Sequence, residues 1–456
     1  MRRMYALWRD SGRVLFGYWL PELITLFVTV ALPPLFDAYL VASLHSTTSY
    51  GALGMATNFL HTLVKLSEAI PVAAIAVIGR HNGAKNHAAS GAHFINTLWT
   101  AIILGCAQLI IIYFWAHRIY EWLGVPADMA IIGTPFLRLR SVSVLLAFIL
   151  LSVLGFMRAI KNTHTPMLIT LIGSVVYMVS SVILVSGHWG FPTCGIYGPA
   201  FAALLEYGTM LAIALAYVFS NQIYKPYFIN LKLFSINWRA IGAIVSFSIP
   251  VIIDKSALSF SYVWLSKMLA TMGPVSIATF DIIKNLERSA IMPAAAFAQV
   301  VTMLVSNHLG AQEFSEAKKT IFKILLITCA IVSGTLIILS LYASYFIGLL
   351  SPNPEITDFA IPLLRILSCL VIFDFAQLIL AAALRGAGKV KTVMWTRFLI
   401  CGLFFLPISY ILSQCSFDSL GTKFCLIYGA FYINTALMGI AFWRQLAKST
   451  WYEKHI

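Results

Sequence analysis

Twelve mostly apolar stretches follow one another along the 456 residues, at 17–43, 50–79, 92–116, 132–156, 165–187, 194–219, 239–267, 274–307, 320–349, 358–384, 390–413 and 424–444. A helix crosses the ~30 Å hydrocarbon layer with about 20 apolar residues, whereas a membrane β-strand needs about ten. Short polar, glycine- or proline-containing punctuation separates the stretches, as expected of connections. Only 11% of the residues are charged and 60% are hydrophobic, against about 25% charged in soluble domains. The expected fold is therefore an all-α polytopic membrane protein with twelve transmembrane helices.

The net charge of +14 invites a nucleic-acid reading, but the positions of the bases argue otherwise. If the first span enters from the cytoplasm, 21 Lys and Arg fall on the N-terminus, the even connections and the tail. Only Arg118, Lys267 and Lys423 fall on the opposite side. The positive-inside rule then places both termini in the cytoplasm, in a bacterial inner or plasma membrane, with lipid rather than nucleic acid as the partner. The first apolar stretch is too long for a signal peptide and lacks a small-residue cleavage site, so it reads as a retained span. The seven cysteines form no Cys-x-x-Cys pair; for Cys415 and Cys425 a bridge and two free thiols both remain open.

The chain also repeats itself. "HNGA" at 81–84 recurs as "HLGA" at 308–311, and "MRAIKNTHTPM" at 157–167 recurs as "LRGAGKVKTVM" at 384–394, both at an offset of 227. A third echo, Ala56 to Pro71 and Ala278 to Pro293, has an offset of 222. Six spans per copy is an even number, so the copies run in the same direction. This is the parallel-repeat design of transporters, with a cavity expected between the copies near midplane. The expected organisation is an N-lobe over 1–219, a basic cytoplasmic linker over 220–238 and a C-lobe with a short tail over 239–456.

"GFMRAIKNTHTPM", "GHWGFPTCGIYGPAFAALLEYG", "LVSNHLGAQEFSEA" and "FAQLILAAALRGAGKVKT" resemble the multidrug and toxic compound extrusion (MATE) transporters over nearly the whole chain. The resemblance implies a twelve-helix antiporter that exports organic compounds, amphipathic or cationic, against an inward proton or sodium gradient. It implies no cofactor beyond H+ or Na+, and a chain that works as a monomer.

Charges inside the spans mark the candidate site, because a charge in lipid costs at least about 2.5–3.5 kcal/mol. Lys65 with Glu68, and Asp281 with Lys284, stand three residues apart and can pair within one helix. Arg288 continues the second stripe. With Glu206, Lys255, Glu287 and Gln377 these residues make up an expected polar cavity network. Arg138 and Arg140 sit near the outer end and can snorkel. Asp37 and Asp374 differ, since neither has a Lys or Arg within four residues. About eleven residues at ~1.5 Å each put Asp374 roughly 16 Å from Arg385, half-way into the membrane. A desolvated carboxyl favours its neutral form, which suits a group that exchanges a proton or holds Na+.

Pro33 and Pro34 kink the first span beside Asp37 and free backbone carbonyls there. By resemblance, Asp37 matches a first-span coupling aspartate, and Asp374 matches the tenth-span acid of the sodium-associated branch. That branch carries a seventh-span acid eight residues after a proline, where this chain has Leu258. Asp254 lies one turn earlier on the same face and is expected to substitute, so Asp37, Asp254 and Asp374 are the expected ion-coupling residues. Arg158, Arg385 and Gly386 mark the cytoplasmic turns, with Arg385 an anchor at that face. Glu22, near the cytoplasmic entrance, receives no role.

No His-Glu-x-x-His or Gly-x-Ser-x-Gly motif appears and the histidines lie mainly at loops or ends, so neither an enzyme nor a metal centre is expected. A flippase for a lipid-linked or zwitterionic headgroup on a related two-lobed fold is the alternative, because acids and bases inside the spans balance. A channel is disfavoured by the lack of a repeated filter motif.

Overall fold

The computed structural model describes residues 2–32, 36, 67–122, 126–229, 237–351, 353–448 and 451. Asp37, Lys65, Pro33, Pro34 and most of the second apolar stretch lie outside the described residues. Within them every regular element is helical. Ten helices are long and apolar enough to span a membrane, and a bent pair makes up to eleven. The chain forms two compact units, 1–249 and 250–456.

In the first unit α1 (Arg2–Leu26) runs on through a wide π-turn at Phe27–Ala31. Thr25 and Thr29 each donate to a carbonyl one turn back, at 2.8 Å, around Pro21. Next come α2 (Ala69–Gly83), α3 (His87–Trp122), α4 (Ala127–Ala159), α5 (His164–Ser186) and α6 (Gly198–Ser220). α3 packs along α4, α5 along α6, and α2 and α6 flank α4. A Cβ on Gly155 would stand 2.8 Å from Pro71, so glycine lets α2 and α4 approach backbone to backbone. Buried Ile70, Phe136, Leu137 and Phe148 fill the space between. Ile110, Ile111, Phe114 and Trp115 of α3 are exposed, a surface suited to lipid and a liability in water.

The second unit takes most of α7 (Trp238–Ala270), then α8 (Pro274–Gly310) and α9 (Phe314–Leu341). It continues with α10 (Pro354–Ser368), α11 (Val371–Gly386), α12 (Val390–Ile400) and α13 (Leu420–Ala447). α10 and α11 form one span bent by 48°. α12 continues through a π-turn at Cys401–Phe405 into a further helical stretch, Leu406–Gln414. α11 lies against α8 and α13, and Gly386 permits the contact, because a Cβ there would stand 2.6 Å from the Thr302 carbonyl oxygen. All seven cysteines, Cys415 and Cys425 included, are free thiols.

The repeat read from four short strings is written into the backbone. α2 and α8 both end in a Schellman turn. In α2, Asn86 N–H donates to His81 O and Lys85 N–H to Asn82 O; in α8, Glu313 N–H donates to His308 O and Gln312 N–H to Leu309 O. α4 and α11 end the same way at Lys161 and Gly388. The left-handed residues are Lys85 (φ 58°), Gln312 (φ 62°), Lys161 (φ 67°) and Gly388 (φ 84°), each pair separated by 227 positions. All four turns reverse the chain with one geometry, as a duplicated architecture requires.

The two copies differ where the segment after α6 docks. Tyr227 donates to Asn82 Oδ1 at 2.6 Å, and Asn162 Nδ2 donates to the Tyr224 hydroxyl at 2.9 Å. Phe228 and Tyr227 pack on Phe156, itself stacked on Phe94 at 4.2 Å. Burial pushes the Tyr224 phenol up to about 12, so it stays a neutral hydrogen-bond partner. Asn82 and Asn162 stand 227 positions before Leu309 and Lys389, and both break the repeat. Replacing them by the second copy's residues, Asn82→Leu with Asn162→Lys, should undock this segment at about 1–3 kcal/mol per orphaned buried partner. Chymotryptic cleavage after Tyr224, Tyr227 or Phe228 should rise, and unchanged cleavage would show that the asparagines do not hold it.

Candidate functional site

The second unit concentrates its buried charge at one place. Asp254 of α7 is 1% exposed, and two guanidiniums reach it. Arg385, in the last turn of α11, donates through Nε and Nη2 to Oδ2, with the Nε bond at 3.1 Å. Arg397 of α12, also 1% exposed, forms an ion pair with Oδ1 at 2.7 Å. Lys255 lies half-buried beside them. Neither arginine can shed its proton, so both remain cations and need this anion. Asp254 was expected to share an ion with Asp374; instead two built-in cations occupy it. Arg385, expected to anchor the cytoplasmic face, turns inward to that carboxylate.

Arg397 continues the chain of contacts. Its Nη2 donates to Gln377 Oε1 at 2.7 Å, and Gln377 Nε2 donates to Asp374 Oδ1 at 3.1 Å. Arginine has only donors, so the amide must present its oxygen to Arg397 and its NH2 group to Asp374. Asp374 is buried in the first turn of α11, just past the 48° bend. The positive end of the helix dipole offsets part of its burial there. The expected neighbourhood of Asp374 and Asp254 is thus present, but indirect, through one amide and one arginine.

Glu287 of α8, expected in the polar cavity network, stands apart from the Asp281, Lys284 and Arg288 stripe. It is buried, and its Oε2 accepts from the Tyr428 hydroxyl of α13. Lys284 pairs with Asp281 at 2.6 Å, as expected, and lies 4.9 Å over the Phe280 ring; Asp281 and Arg288 are exposed.

In the first unit Glu22 and Arg158 are both buried and bonded at 2.7 Å. Neither the role of Glu22 nor the inward course of Arg158 was expected. Arg158 and Arg385 occupy repeat-equivalent positions, so each unit ties the end of its fourth span to an acid on its first span. Glu68, Glu206 and Arg140 all lie within electrostatic reach of Tyr207 of α6. Arg138 instead donates to the Tyr113 carbonyl at 2.9 Å.

Arg397, Glu22 and Tyr428 escape a reading of the sequence, because their partners lie 20 to 143 positions away. Arg397 alone left a signal: it stands two turns inside an apolar stretch rather than in the connection. The π-turn one helical turn later is a further mark, since such turns recur at functional sites.

A family model described as MatE matches residues 23–183 and again 250–411, one copy in each unit. The chain belongs to the MatE family. The probable multidrug resistance protein YoeA of Bacillus subtilis is 23% identical over 345 residues, covering 74% of this chain and 73% of its own. A probable multidrug resistance protein NorM of Rhizobium meliloti is 21% identical, over 77% of this chain and 76% of its own. Among solved structures, a mutant of the Vibrio cholerae MATE transporter VcmN superposes with a TM-score of 0.85 at 17% identity. That match covers 97% of this chain and 99% of the other. The MatE chain is accordingly a multi-pass membrane transporter with the all-α two-lobed fold, and not an enzyme.

In this MatE protein the Glu22–Arg158 pair bears directly on stability. Removing one member of a buried pair strands the other, at about 3–5 kcal/mol. Glu22→Gln should therefore lower the thermal unfolding midpoint of the purified protein by several degrees. An unchanged midpoint would mean that the pair contributes nothing to the first unit.

Proposed function

We propose that this MatE transporter is a secondary antiporter, exporting an amphipathic or cationic organic compound in exchange for protons, with Asp374 as the exchangeable carboxyl of the second unit. The observation that carries the reading is the unequal pairing of its buried acids. Asp254 already meets two guanidiniums, whereas Asp374 meets an amide NH2 group.

The same geometry favours a proton over Na+ at Asp374. A hard cation needs several oxygen ligands, and the nearest amide turns its oxygen away, to Arg397. The polar neighbour therefore offers Asp374 a donor where a cation would want an acceptor. Gain or loss of a proton at a buried carboxyl changes the local charge by one unit. At low dielectric such a change biases an equilibrium between inward- and outward-open states by a few kcal/mol. The substrate class follows the names of the relatives, which are probable multidrug resistance proteins.

The test is transport of ethidium by proteoliposomes under imposed proton and sodium gradients, applied separately. Wild-type protein should respond to the proton gradient, and Asp374→Asn should fall to the rate of protein-free liposomes while remaining folded. Normal transport by Asp374→Asn under both gradients would reduce Asp374 to a static partner of Gln377.

A further inference from the structure

Glu287, like Asp374, is a buried acid of the second unit for which no ion pair is seen among the described residues. Its Oε2 accepts from Tyr428, and its enclosed Oε1 lacks a well-formed hydrogen bond, with the Tyr432 hydroxyl the one further donor near the carboxyl. Tyr432 stacks on Tyr428 at 5.4 Å with the rings 15° apart and faces the same carboxyl. From the other helices packed around it, Asp374 of α11 and Tyr262 of α7 lie within electrostatic reach. On its own helix Lys284 is held by Asp281, and Arg288 is exposed to solvent or headgroups. An ionised carboxylate enclosed by phenols, with one oxygen unsolvated, is an expensive state that protonation removes.

The charges of the whole cluster point the same way. Three acids, Asp254, Asp374 and Glu287, are buried with two guanidiniums, Arg385 and Arg397. Among the fully buried groups one negative charge is left over, which a single proton cancels; half-buried Lys255 stands beside Asp254. Asp254 is the worst candidate to carry that proton, because both guanidiniums depend on its charge. We propose that Glu287 is a second proton-binding group of this unit, and that Glu287 and Asp374 hold one exchangeable proton between them. The proton adds to Glu287 Oε1, giving a neutral acid whose Oε2 still accepts from Tyr428. Its loss restores the carboxylate, and no co-reactant is needed. Two interacting carboxyls of this kind titrate as a pair rather than as independent sites. A purely structural Glu287 would fasten α8 to α13 through Tyr428 and keep one protonation state throughout.

This inference rests on the proton-coupled reading above, but its test reads Glu287 without transport. Purified full-length protein is titrated by infrared difference spectroscopy, following the carbonyl stretch of buried carboxylic acids from mildly acid to mildly alkaline pH. The wild type should show such a band, fading as pH rises. Glu287→Gln should lose the band, Tyr428→Phe should shift its frequency by removing the hydrogen bond, and Asp374→Asn should move the pH at which it fades. A band that survives Glu287→Gln, or that never titrates, would overturn the proposal. Should Glu287→Gln fail to fold, Tyr428→Phe decides alone, and an unshifted band would refute it. A titrating Glu287 band with normal gradient-driven transport by Asp374→Asn would sink only the coupling role of Asp374. A missing band with transport abolished in Asp374→Asn would sink only this inference.

Discussion

A carboxylate buried at the depth of Asp254 is tolerated only with its charge compensated, and the second unit is organised around that requirement. Arg385 from α11 and Arg397 from α12 converge on one acid from α7, so three helices depend on a single residue. Such clusters contribute less to net stability than their contacts suggest, because all three groups leave water. Their larger effect is orientation. With Arg397 Nη1 on Asp254, its Nη2 donates to the oxygen of Gln377, and the amide can then offer Asp374 only a donor. The character of Asp374 is set two contacts away, by a residue it does not touch.

The duplication clarifies which features belong to the scaffold and which to the function. Both units share the Schellman turns and the inward arginine of the fourth span. The positions equivalent to Asp374, Gln377 and Arg397 are Ala147, Leu150 and Thr170, all buried and uncharged. The second unit has therefore placed a titratable cluster on a frame that the first unit fills with small and apolar side chains. Asn82 and Asn162 show the converse, where the first unit departs from the repeat to hold the segment that follows it.

Much of this was legible in the sequence because it is local or periodic. Apolar length gave the spans, short polar strings at a fixed offset gave the repeat, and a spacing of three residues gave the Asp281–Lys284 pair. The long-range pairings were not legible. Glu22 and Arg158 are 136 positions apart, and Asp254 and Arg385 are 131 apart, so nothing in either neighbourhood names the partner. Arg385 was read with the cytoplasmic turns because helix ends are uncertain by a turn, and one turn separates an arginine at the headgroups from one inside. Glu287 was placed only in a general polar cavity network, because nothing near it in the sequence names Tyr428 of α13, 141 positions away.

The account divides the buried acids of the second unit into one that holds the structure and others that exchange a proton. Unfolding of Asp254→Asn and Asp374→Asn, compared side by side under one set of conditions, tests that division most directly. Asp254→Asn leaves two buried guanidiniums without their anion and should lose about 3–5 kcal/mol, whereas Asp374→Asn keeps an amide partner and should unfold close to wild type. Equal losses, or a larger loss in Asp374→Asn, would contradict the division.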